Sequence, residues 1–93
     1  MKYKYGITQS VRFDRDLVRA VKRGLGIEEL NLIVGKLRND EPLEPRHKDH
    51  PLKGKYKGHR ECHINADWLL VYKKLKKELV LHLVRTGTHS DLF

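Results

Sequence analysis

The spacing of apolar residues changes once along this chain, and that change narrows its possible folds more than any other feature. Between positions 10 and 40 the spacing is helical. Phe13, Leu17, Ala20 and Val21 share one stripe, and Leu30, Ile33, Val34 and Leu37 share a second. Ser10 stands where a helix N-cap is expected, and Gly24-Leu25-Gly26 separates the two stripes. Glu28 and Glu29 open the second helix, and Lys36 and Arg38 close it, as the helix dipole favours. From about position 58 onward the period drops to two. Gly58 to Asn65 puts Arg60, Cys62 and Ile64 on one face and His59, Glu61 and His63 on the other. Trp68 to Lys73 is a nearly continuous apolar strand, Lys74 to Lys77 a polar turn, and Leu79 to Arg85 a third strand. Tyr3 to Gln9 reads as a short strand with Tyr3, Tyr5 and Ile7 on one face. A helical hairpin with one apolar side needs a sheet to cover. The pattern therefore predicts one α+β domain over residues 1–93: a small twisted, mainly antiparallel sheet, with an N-terminal strand, a two-helix hairpin and a C-terminal three-strand meander.

Residues Glu41 to Lys57 hold all three prolines and read as a long loop, a segment that in small domains tends to carry function. Its charge is lopsided. From Arg46 to Arg60 there are six Lys or Arg against Asp49 alone, within a chain of net charge +8. That balance points to a polyanionic partner. The single cysteine, Cys62, cannot form an internal disulfide, which fits a reducing compartment. No apolar run is long enough to span a bilayer, and the N-terminus lacks a signal-peptide core. A cytoplasmic location away from membranes is expected.

All six histidines lie after position 46. Four of them, His47, His50, His59 and His63, invite a zinc reading. Strand geometry argues against it, since His59 and His63 on one strand would be about 13 Å apart at their Cα atoms. No metal or other cofactor is expected. His82 reads as a hydrogen-bonded sheet residue, and His47 and His59 as surface or RNA-facing positions. The remaining set suits RNA cleavage by the 2′-OH. Such cleavage needs a base for the 2′ proton, an acid for the departing 5′ oxygen and cations for the phosphoryl charge. His50, His63 and His89 offer the first two, Arg60 and Arg85 the third. Asp67 can orient a histidine, and Phe93 can stack on a base.

The run Lys48-Asp49-His50-Pro51-Leu52-Lys53-Gly54-Lys55-Tyr56-Lys57-Gly58-His59-Arg60 resembles the central signature of the YafQ-type toxins in the RelE/ParE superfamily. So do Cys62-His63, Asp67-Trp68-Leu69-Leu70-Val71-Tyr72-Lys73 and Arg85-Thr86-Gly87-Thr88-His89-Ser90-Asp91-Leu92-Phe93. The resemblance implies a RelE-like domain that cleaves mRNA in the ribosomal A site. It implies catalytic positions at His50, His63, Asp67, His89 and Phe93, and a phosphate contact at Arg85. His50 or His63 would be the base and His89 the acid. Lys53, Lys55, Lys57 and Arg60 would dock on ribosomal and messenger RNA. Implied partners are the 70S ribosome, mRNA and an acidic DinJ-like antitoxin of ribbon-helix-helix type, with operator DNA contacted only through the antitoxin complex. His59 and Ala66 depart from the family pattern, which favours an aromatic residue and a proline there. Ala66 is expected to loosen the turn that aims Asp67. Two non-catalytic alternatives share the basic composition: a ParE-like gyrase inhibitor, and a ribosome- or RNA-binding module.

Overall fold

Residues 3–93 are described by the structure, a computed structural model, and they form one five-stranded sheet with the two longer helices on one face and a short C-terminal helix on the other. In chain order the elements are β1 (Gly6–Gln9), α1 (Val11–Lys22), α2 (Ile27–Arg38), β2 (His50–Pro51), β3 (Arg60–His63), β4 (Leu69–Leu75), β5 (Val80–Gly87) and α3 (His89–Leu92). The spatial order is β1-β5-β4-β3-β2. β1 runs parallel to β5, and every other pairing is antiparallel. No helix among the described residues is long and apolar enough to cross a membrane.

Each helix starts where its sequence allows. The Ser10 hydroxyl accepts from the Phe13 amide at 2.9 Å and donates to the Val84 carbonyl at 2.6 Å, so one side chain caps α1 and ties it to β5. Gly24, at φ +82°, supplies the left-handed turn between the helices. The α2 stripe of Leu30, Ile33, Val34 and Leu37 is buried as expected. The α1 stripe differs. Phe13 and Ala20 are buried, but Val21 is exposed and Asp16 takes an inward position. Asp16 lies three residues beyond Phe13, at helical spacing, and its burial is tolerated because it is fully partnered.

β4 reads as continuously apolar because both its faces are covered. Trp68, Leu70 and Tyr72 join the helix-side core with Cys62, Ile64, Leu81 and Leu83. Leu69 and Val71 point the other way, under Leu92 of α3 and under Leu52 and Tyr56 of the long loop. That loop is less irregular than its prolines suggest. It contains β2 and two single 3-10 turns, Pro45–His47 and Gly54–Tyr56. β1 is shorter than expected. It begins at Gly6, and Tyr5 is buried while Tyr3 and Ile7 are exposed, so the three do not share one face. Tyr5 is instead tied to the end of α2, donating its amide to the Arg38 carbonyl and accepting from Arg38 Nε, both at 2.9 Å.

Two carboxylates fasten distant segments. Asp40 bridges Lys4 at 2.7 Å and Lys74 at 2.6 Å, and Asp91 of α3 meets Arg23 beyond α1 at 2.7 Å. Hydrogen bonds from these cations, reinforced at Asp91 by the Thr88 amide, hold both carboxyls well below the ordinary aspartate value. A lowered folded-state pKa adds stability above the unfolded value and loses it as pH falls toward the folded one. Stability should therefore fall from about pH 4 downward. Urea midpoints across that window should show it, and Asp91→Asn should flatten part of the fall. A midpoint independent of pH there would contradict the assignment.

Candidate active site

The sheet face away from α2 carries two transverse rows. In the first, His50 of β2 pairs with Glu61, Glu61 with Val71, and Val71 with Arg85. Two residues along, His63 pairs with Leu69 and Leu69 with Gly87, which leads through Thr88 into His89. With strands about 4.8 Å apart, the Cα atoms of His63 and Gly87 lie roughly 10 Å from one another across β4. Strict alternation would group Arg85 with Leu81 and Leu83. A β-bulge resets the register between Val71 and Tyr72, leaves Val84 without an opposite residue and pairs Arg85 with Val71.

His50 is half-buried. Its Nδ1 meets the Lys48 carbonyl at 2.5 Å, and a carbonyl can only accept, so Nδ1 carries the proton. Nε2 faces Glu61 Oε1 at 3.4 Å. Glu61 is buried on this face, and sequence reasoning placed it on the His63 side of the strand but not against His50. Finding that contact required β2, which is too short to leave a periodic signal. His63 is half-buried and His89 exposed; among the described residues neither ring makes a hydrogen bond to protein.

His47 corrects the sequence reading. It is not a surface residue but buried, and its Nδ1 donates to the His63 carbonyl at 2.6 Å. It braces the first 3-10 turn against β3. His59 binds the Tyr56 carbonyl at 3.2 Å and packs its ring edge on Tyr56, and His82 meets Thr8 Oγ1 at 2.7 Å as a sheet residue.

Asp67 is exposed in the turn between β3 and β4. Asn65 Oδ1 accepts from the Asp67 and Trp68 amides at 3.0 and 3.1 Å, so Asn65 holds this turn and a proline at position 66 is not required. His89 opens α3. There Thr88 Oγ1 accepts from the Asp91 amide and Asp91 Oδ2 accepts from the Thr88 amide, a reciprocal cap. The His89 and Phe93 ring centroids are 5.3 Å apart, and Phe93 also meets Tyr56 edge-on at 5.8 Å.

Arg85 is buried. Asp16 Oδ2 accepts from its Nε at 2.7 Å and Asp16 Oδ1 from its Nη2 at 3.1 Å, while the Tyr56 phenol lies beside it. Asp16 raises the Arg85 pKa above its ordinary value, against the opposing effect of burial. Arg60 sits apart from the histidines, opposite Tyr72, on the helix-side face. Burial disfavours its charge, but Tyr72 and Asp49 outweigh that effect, and its Nε reaches Asp49 at 3.3 Å. Lys53, Lys55 and Lys57 are exposed along the loop beside Tyr56. Among the described residues, no group of three His, Cys, Asp or Glu side chains is placed to hold a metal ion.

A family model described as "Bacterial toxin of type II toxin-antitoxin system, YafQ" matches residues 5–93. The chain is 40% identical over 88 residues to the mRNA interferase toxin YafQ of Escherichia coli strain K12, covering 94% of each. It is similar to a metal-bound toxin from Helicobacter pylori, with a TM-score of 0.90 and 49% identity over 96% of this chain and 99% of that one. It is also similar to a chain of the E. coli DinJ-YafQ toxin-antitoxin complex, with a TM-score of 0.86 and 37% identity over 97% and 98% of the two chains.

Proposed function

The chain belongs to the YafQ family of bacterial type II toxins, which includes mRNA interferases, and from that membership we propose that it cuts mRNA in the ribosomal A site. The observation that supports the chemical reading is that His63 and Gly87, two residues before His89, flank Leu69 of β4, with Arg85 one row away on the same face. A phosphodiester lying across β4 would meet all three. His63 takes the 2′-OH proton as the oxygen attacks phosphorus, and His89 protonates the departing 5′ oxygen. Arg85 offsets charge on the phosphoryl oxygens. His50, proton-bearing at Nδ1 and backed by Glu61, flanks the phosphate from β2. Phe93, half exposed, stacks on a neighbouring base, and Asp67 fixes the strand beside His63. Each of these steps is carried by side chains of this chain.

The partners follow from charge and from the relatives. The exposed Lys53, Lys55 and Lys57 favour the phosphate backbones of mRNA and the 70S ribosome. The DinJ-YafQ complex supports an antitoxin partner, and a net charge of +8 favours an acidic one; that it is of ribbon-helix-helix type and links the toxin to operator DNA is part of the same proposal and follows from the family resemblance.

Primer extension on translated mRNA tests the reading. Cuts at A-site codons that depend on His89 are expected. Intact mRNA with inhibited gyrase would favour a ParE-like inhibitor, and intact mRNA with toxin-bound ribosomes a non-catalytic binder. A milder prediction concerns Gly87, at φ +156°, where a Cβ would lie 3.0 Å from Asp91 Oδ2 and 3.1 Å from Asp91 Cβ. Gly87→Ala should push Asp91 out of its cap and displace His89 and Phe93. Cleavage should drop about tenfold with the sheet intact, since small misplacements of reacting groups are costly. Wild-type cleavage by this variant would show that the cap does not aim His89.

A further inference from the structure

β1 is four residues long and stops at Gln9, while β5 continues to Gly87. The edge of β5 beyond Leu83 therefore has no strand beside it. α1 takes that place. Ser10 covers the Val84 carbonyl, and Asp16 Oδ2 accepts from the Thr86 amide at 3.1 Å. The same carboxylate receives Arg85 Nε and Nη2 in a two-pronged contact. Asp16 is only 4% exposed and makes all three of these bonds. Arg85 follows the unpaired Val84 of the bulge, where the backbone alone leaves the side chain's direction weakly defined.

We propose that Asp16 is a positioning residue for cleavage: it fixes the Arg85 guanidinium against β5, so that the face left beside Tyr56 meets the scissile phosphate. The proposal rests on the reading of Arg85 as a phosphate contact. A buried, doubly bonded guanidinium loses little freedom when the phosphoryl charge develops, and that pre-ordering is what an unpaired arginine on a bulge would lack. α1 thereby acts on the site twice, because Arg23, just beyond it, grips Asp91 in the helix that carries His89.

The test is a cycle of Asp16→Asn, Arg85→Lys and the double variant, measured by cleavage of ribosome-bound mRNA, by ribosome affinity and by urea midpoint. Asparagine keeps an acceptor for Thr86 and Arg85 but removes the charge and one prong. Asp16→Asn is expected to cut about tenfold to a hundredfold more slowly at saturation, with ribosome affinity little changed. The double variant should cut no more slowly than Arg85→Lys alone, because Asp16 acts through Arg85. Asp16→Glu, which restores the carboxylate, should recover part of the rate. Folded Asp16→Asn that cuts like wild type would overturn the proposal, as would losses that multiply in the double variant. Should Arg85→Lys itself cut normally, the phosphate role of Arg85 falls, and the Asp16 proposal with it. A defect in Arg85→Lys without one in Asp16→Asn removes the Asp16 proposal alone.

Discussion

His89→Ala is expected to slow cleavage of ribosome-bound mRNA by about 10²- to 10⁴-fold, the usual worth of a positioned general acid. The loss should be chemical rather than structural. His89 is exposed, and the α3 cap is made by Thr88 and Asp91 without its side chain. Its ring touches Phe93, so the urea midpoint should barely move. His63→Ala should lose a comparable factor. His47 binds the His63 carbonyl rather than its ring, so the brace on β3 survives the substitution. Two groups that serve one proton-transfer cycle are non-additive, and the double variant should be little slower than either single one. Folded single variants that cut at wild-type rates would remove the acid–base assignment. A double variant slowed by the product of the two factors would mean that the histidines act in separate steps.

The residues that made the fold legible are those whose burial follows from local period. Leu30, Ile33, Val34 and Leu37 mark α2, and Cys62 of β3 with Ile64 just beyond it marks the side of the sheet turned to the helices. The residues that escaped are held by partners far away in sequence. Asp16 reads as one more polar residue on a charged helix until β5 is seen to run beyond β1 and leave Thr86 in need of an acceptor. His47 reads as a surface histidine until its turn is packed against β3. Of the candidate site, the histidines were visible as residue types, but their order across the sheet was not. It depends on a two-residue strand at His50 and a bulge at Val84, and neither leaves a hydrophobic period to detect. The bulge also explains why Arg60 and Arg85, similar as sequence features, differ in the folded chain. One is turned to the helix-side face with Tyr72, the other to the face shared with His50 and His63.

Arg85→Met is expected to destabilise the protein by about 3–5 kcal/mol, because it leaves the Asp16 carboxylate buried without its cation. A domain of this size has about 5–15 kcal/mol in all, so the variant should be marginal. At a slope of about 1–2 kcal/mol per molar urea, the midpoint should fall by roughly 2 M or more. Removing the carboxylate as well, in Asp16→Leu with Arg85→Met, should restore part of that loss. Recovery should stop short of wild type, since the Thr86 amide then lacks its acceptor at a cost of about 1–3 kcal/mol. Arg85→Lys, which keeps a cation opposite Asp16, should lose much less stability while giving up the two-pronged geometry. This ordering separates the two duties of Arg85. If stability tracked cleavage through the whole series, the guanidinium would be acting as a structural ion pair. If Arg85→Lys stays folded yet cuts slowly, the fork of donors is needed at the phosphate. An Arg85→Met protein with an unchanged midpoint would show that Asp16 finds water or another partner in place of the guanidinium, and that α1 holds the edge of β5 well enough through Ser10 and the Thr86 amide.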